Sequence, residues 1–139
     1  TRPLIKRYLI NCDRSFIFST ALPHINMAWP RQVILQFIGM NRERQHLKMI
    51  SDVFRKGIEE ITGETNVSTS QIVPLILGDP RKALHLSVRL SMRGIDTLPI
   101  RRPTVPEGSE RIRFSLSAAL TLSQINQILT IIKEEFNDL

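Results

Sequence analysis

Cysteine is almost missing from this chain. Cys12 is the only one in 139 residues, so no internal disulfide and no paired-cysteine metal cluster can form. That usage fits a reducing cytoplasm, which is the expected location. No apolar run approaches the roughly 20 residues needed to span a bilayer, and no membrane association is expected. Aromatic residues are only 6% of the chain. Their scarcity weighs on the partners, because 14 Arg and 5 Lys against 13 acids leave a net charge of +6 that would suit nucleic acid. The basic residues are scattered, and few aromatics are available to stack bases, so no nucleic-acid partner is expected. His24, His46 and His85 lack the paired spacing of metal ligands, so no metal site is expected. There is no Gly-rich phosphate loop and no nucleophile elbow, and the neighbouring acids Glu59-Glu60 and Glu134-Glu135 point apart on a helix. No catalytic residue is therefore expected within the chain.

The remaining composition supports one ordinary hydrophobic core, since 42% of residues are apolar. The chain begins at Thr1 without a Met and without a signal-peptide layout, so it is expected to be a piece of a longer polypeptide. Its first 70 residues read as a mainly helical connecting region. An amphipathic stretch over 6–12 leads to an extended piece, Ser15 to Thr20, ended by Pro23. Pro30 suits a first helical turn, predicting a helix from Pro30 to Met40. The spacing of Leu47, Ile50, Phe54, Ile58 and Ile61 predicts another, stopped at Gly63. A polar loop then runs from Thr62 to Ser70.

Residues 71–139 read as a βαββα unit. Ile72 to Leu77 is a strand whose Pro74 points to a sheet edge, and Asp79-Pro80 supplies an N-cap and a first-turn proline for a helix to Arg93. Gly94 closes that helix, and Ile95 to Arg101 forms a second strand. From Arg111 to Ser117, Ile112, Phe114 and Leu116 alternate with Arg111, Arg113, Ser115 and Ser117, so one face is core and the other is not. Thr121 and Gln124 make a capping box for a last helix. The expected fold class is α+β: a helical arm, then a small domain with a mainly antiparallel sheet covered by helices on one face. Arg101, Arg102, Arg111 and Arg113 form the one basic cluster. It fits an anionic small molecule, a phosphate backbone or a plain solvated sheet face.

Three segments carry a resemblance. Arg101 to Ala119, with its Thr104-Val105-Pro106-Glu107-Gly108 and Ser115-Leu116-Ser117-Ala118-Ala119 wording, is similar to a stretch of the α-oxoamine synthases. So are Arg14 to Pro23 and Ser70 to Asp79, in the same order, so the resemblance spans nearly the whole chain. It implies a fold-type I homodimer that binds pyridoxal phosphate through a lysine in a larger N-terminal domain and condenses an amino acid with an acyl thioester, losing carbon dioxide. The wording favours the member that takes L-alanine and pimeloyl thioester. Types using other substrates, such as 5-aminolevulinate synthase, 2-amino-3-ketobutyrate ligase and serine palmitoyltransferase, are the alternatives within the family.

The resemblance also implies roles. Arg113 would hold the amino-acid carboxylate, and Ser19 and Thr20 would donate to the cofactor phosphate across the dimer interface. None of Lys6, Lys48, Lys56, Lys82 and Lys133 stands in the surroundings of the cofactor lysine, which would lie upstream. Arg102, Leu120 and His24 depart from the family pattern, where proline, histidine and proline are usual, and these positions bear on the amino acid and acyl chain accepted. A small-ligand or nucleic-acid binding module is the alternative of another class. The polar face of Arg111, Arg113, Ser115 and Ser117 has no aromatic residue to support base stacking.

Overall fold

The structure is a computed structural model that describes residues 2–20 and 22–139. Its elements run α1 (Pro3–Cys12), α2 (Arg14–Ile17), α3 (His24–Gly39), α4 (Asn41–Thr62), β1 (Ile72–Ile76), α5 (Pro80–Met92), β2 (Leu98–Ile100), β3 (Arg111–Ser115) and α6 (Leu122–Asn137). The chain divides into two compact units, Thr1–Met40 and Asn41–Leu139.

The first unit is helical throughout its regular structure. Ser15 to Thr20, expected to be extended, instead begins with α2, because the Asp13 carboxylate accepts a hydrogen bond from the Ser15 N–H at 2.9 Å and caps a helical turn. The β-branched and aromatic residues that suggested a strand yield to that local cap. Helix α3 starts at His24, six residues ahead of the expected Pro30. Pro30 lies inside it, where the ring removes one N–H without ending the helix. No residue of α1 or α3 is buried. On α3, Ile25, Trp29, Val33, Ile34, Phe37 and Ile38 are exposed and spread around the axis, as in a helix made to be surrounded by other protein.

The second unit begins with α4. It supplies the buried Ile50, Phe54 and Ile58 to the core around the sheet. It ends at Gly63, whose φ of 72° suits glycine. The sheet has the order β1-β3-β2, with both pairings antiparallel. Strand β1 lies at an edge, where Pro74 needs no ladder N–H. Strand β2 is shorter than expected, and the stretch before it bends toward α5: the Ser87 hydroxyl is 3.0 Å from Thr97 Oγ1, and the Ser91 hydroxyl is 3.1 Å from Asp96 Oδ1.

Val73, Leu75, Ile112 and Phe114 form the inner face of the sheet, buried under α4, α5 and α6. Phe54 of α4 meets Phe114 edge-on with ring centroids 5.2 Å apart, a geometry that aromatic quadrupoles favour. Helices α4 and α6 pack closely at Gly57, where an added Cβ would fall 2.5 Å from Leu129 Cδ1. The buried Glu135 of α6 is ion-paired to both Arg89 and Arg93 of α5, with Arg93 Nη1 2.9 Å from Glu135 Oε1. The capping box of Thr121 and Gln124 is present.

Two tests follow from this division and these caps. Trypsin should cut first within residues 1–40, where apolar residues are unburied, and leave a resistant core beginning near Asn41; first cuts within 41–139 would contradict the division. At the start of α5, the N–H groups of Lys82 and Arg81 donate to the Asp79 carboxylate and hold its pKa below the ordinary value. A lowered folded-state pKa gives stability that is whole above the unfolded value and is lost as pH falls through the folded one. Asp79→Ala should therefore lower the melting temperature at pH 7, with the gap to the parent narrowing below about pH 4; a gap independent of pH would show that the charge contributes nothing.

Candidate functional site

The outer face of the sheet carries the candidate site. Antiparallel register sets Pro74 and Leu98 opposite Arg113 on its two sides, Ile76 and Ile100 opposite Arg111, and Ile72 opposite Ser115. Alternation along β3 then has the expected outcome: Ile112 and Phe114 are buried, while Arg113 and Ser115 are exposed. The result is a central line of polar residues between two apolar flanks.

Of the four clustered arginines, two are already engaged. Arg111 Nε donates to the Ser109 carbonyl at 2.8 Å. Arg102 is ion-paired to Glu107, and its Nε lies 4.0 Å from the buried Glu110. Neither Arg113 nor Arg101 makes a hydrogen bond or ion pair through its side chain with any described residue. Arg113 is thus a free guanidinium anchored on a three-stranded sheet, with apolar neighbours that exclude part of the surrounding water. Such a planar fork can take a carboxylate through two parallel charge-assisted bonds.

Ser19 and Thr20 belong to the other unit. They are adjacent and exposed, directly after the turn at Phe18 that ends α2. Hydroxyls presented this way can donate to phosphate oxygens without adding charge. Lys6, Lys48, Lys56, Lys82 and Lys133 are all exposed on helices.

The other polar features are structural. His46 Nε2 lies 2.8 Å from the Leu120 carbonyl and ties α4 to the turn before α6, while His24 and His85 are exposed on α3 and α5. Among the described residues no group of three or more His, Cys, Asp or Glu could hold a metal ion, and no helix is long and apolar enough to cross a membrane. A cleft of about 380 Å³ beside α6 is floored by Phe54 and Phe114, and its charged rim is already paired, Arg93 with Glu134 and Glu135, Asp96 with Ser91. Sequence reasoning placed Arg113 on the outward face of its strand but did not place Pro74 and Leu98 beside it. Strand alternation gives a residue's face, and only the pairing register gives its neighbours.

Comparison with known proteins supplies an independent line. The sequence profile described as aminotransferase class I and II matches residues 2–132. The putative 8-amino-7-oxononanoate synthase of Pasteurella multocida is 42% identical over 131 residues, covering 94% of this chain and 34% of that protein. The 8-amino-7-oxononanoate synthase of Haemophilus ducreyi is 42% identical over 126 residues, 91% of this chain and 33% of that protein. The chain therefore spans about a third of the length of the curated relatives it matches. Among solved structures, 8-amino-7-oxononanoate synthase from Francisella tularensis superposes with a TM-score of 0.80 at 28% identity, over 99% of this chain and 40% of that one. Serine palmitoyltransferase from Sphingomonas wittichii gives 0.83 at 25% identity, over 99% and 35%.

A free guanidinium on the surface should contribute nothing to folding. Arg113→Ala should leave the unfolding free energy of the chain within about 0.5 kcal/mol of the parent in urea titrations; a loss of 2 kcal/mol or more, on the order of a broken buried ion pair, would make Arg113 a structural residue.

Proposed function

Because the chain belongs to the aminotransferase class I and II family, we propose that it is the C-terminal part of a pyridoxal-phosphate-dependent acyltransferase that condenses L-alanine with pimeloyl thioester. The thioester is carried by coenzyme A or an acyl carrier protein, carbon dioxide is lost, and the product is 8-amino-7-oxononanoate, in biotin synthesis. The observation that carries this reading is the unpaired Arg113 on an apolar-flanked sheet face, in a chain about 40% identical over nine-tenths of its length to proteins named for that reaction. Those names favour it over the other α-oxoamine synthases, whose fold the chain shares.

In this reading residues 1–70 lead out of a larger cofactor-binding domain and residues 71–139 are the small domain, onto which α4 packs. The cofactor lysine lies outside the chain, so the chain alone does not catalyse the reaction. When bound, pyridoxal phosphate supplies an electron sink for the α-carbon of the amino acid. This chain supplies position. Arg113 grips the alanine carboxylate through its two parallel N–H donors and fixes the rotation of the α-carbon, and Ser19 and Thr20 donate to the cofactor phosphate. The complete enzyme is a cytoplasmic homodimer.

Steady-state kinetics on the full-length polypeptide, varying alanine at saturating thioester, test the assignment. Arg113→Ala should lower kcat/KM for alanine by roughly 2 to 4 kcal/mol, on the order of 10² to 10³-fold, the usual strength of a charge-assisted pair. Arg113→Lys should recover only part, because a point charge does not reproduce the fork. An alanine enzyme variant with the parent's kcat/KM would leave Arg113 a solvated surface residue.

A further inference from the structure

We infer that the second unit carries a phosphate-binding site between α4 and the segment leading into β1, a site in which Arg113 takes no part.

A cavity of about 480 Å³ lies there, lined by Arg44, Lys48 and Arg55 of α4 together with Thr69, Ser70 and Gln71. The three cations follow one another at intervals of four and seven residues, which puts them on one face of the helix. Among the described residues Asp52 is the one acid in this lining, so three cations against one carboxylate leave a net charge of +2. That carboxylate also gathers the charge. Lys48 Nζ is 3.1 Å from Asp52 Oδ2 and Arg55 Nη1 is 3.0 Å from Asp52 Oδ1, so an ammonium and a guanidinium are held beside a single group. Arg44 is braced in turn by the Asn41 side-chain oxygen, to which its Nη2 donates.

The donors around this cavity outnumber the acceptors they have. Arg55 spends Nη1 on Asp52, while its Nε is shut off from solvent and has no hydrogen-bond partner. An unpaired donor without access to water is destabilising, and a bound ion is one of the few features that account for such a group in a folded protein. The Ser70 hydroxyl accepts from the Ile72 N–H at 3.2 Å, which leaves its own hydrogen to donate. The side chains of Thr69 and Gln71 make no hydrogen bond with any described residue. Cationic, hydroxyl and amide donors around a doubly positive cavity match phosphate, which approaches a dianion near pH 7 and accepts through oxygens on every side. A carboxylate carries half that charge and offers two oxygens in one plane. The cavity is also larger than a phosphate group needs, leaving room for the group that a phosphate monoester carries.

The test uses the full-length holoenzyme, in which the bound cofactor keeps its own phosphate site filled. Calorimetric titrations at fixed ionic strength, which holds screening constant, compare inorganic phosphate, glycerol 2-phosphate and acetate. Inorganic phosphate should bind saturably in the millimolar range, and acetate about 10-fold more weakly or worse. Arg55→Met, which keeps the aliphatic stem, and Lys48→Gln should each weaken phosphate binding by about 10-fold or more. The Lys48 side chain is 80% exposed, so Lys48→Gln should keep the parent's melting temperature and decides the matter even if Arg55→Met fails to fold. Arg113→Ala should bind phosphate as the parent does. Glycerol 2-phosphate separates the sources: binding as tight as that of inorganic phosphate assigns the site to phosphate monoesters, and weaker binding assigns it to free phosphate. The inference is overturned by an absence of saturable phosphate binding, by acetate binding as tightly as phosphate, by parent-like binding in folded Lys48→Gln, or by loss of binding in Arg113→Ala. None of these outcomes touches the alanine kinetics that test the carboxylate role of Arg113.

Discussion

Strand β3 lies in the middle of the sheet, and its position there constrains almost every other feature. A central strand must bury one face against helices and satisfy its backbone on both sides, so its side chains alternate between two environments. Ile112 and Phe114 hold α4, α5 and α6 to the sheet, and the residues between them are turned outward. The guanidinium of Arg113 is thus mounted on the most firmly anchored backbone of its unit. A rigid strand holds a charged fork in orientation better than a loop does.

The two units differ in what holds them. Asn41–Leu139 has a core of buried aliphatic residues from three helices and the sheet, reinforced where Glu135 meets two arginines of α5. Burying Glu135 would be costly alone, and its charge is offset by two guanidinium groups that remain partly solvated. Residues 1–40 have helices without a core. Helix formation there satisfies the backbone, while no described residue of α1 or α3 is buried.

Much of the small domain could be read in the sequence because its signals are local and agree with one another. Asp79 with Pro80, Thr121 with Gln124 and Gly63 each mark a helix boundary by a mechanism that acts over a few residues, and the alternation of β3 fixes its faces. The errors fell where two local signals competed. Ser15 to Ile17 has strand-like composition, yet the Asp13 cap supplies a hydrogen bond that the extended form would forgo. Pro30 looked like a helix start, and α3 absorbed it in its interior. Arg113 was legible as an outward guanidinium on β3; its freedom from partners was not, since the commitments of Arg111 to Ser109 and of Arg102 to Glu107 arise from loop geometry. Leu98 passed unnoticed because a lone exposed leucine is ordinary until its cross-strand neighbour is known.

The distribution of charge between the units has a consequence of its own. Residues 1–40 hold five basic side chains against the single acid Asp13, so they carry four of the six net positive charges in under a third of the chain. The same segment has no buried apolar residue among those described. Mutual repulsion is what keeps two such uncovered surfaces apart, and repulsion is screened beyond about 8 Å at physiological ionic strength, whereas apolar attraction is not. Raising the ionic strength therefore weakens the repulsion between copies of this segment without weakening the attraction between their exposed apolar residues.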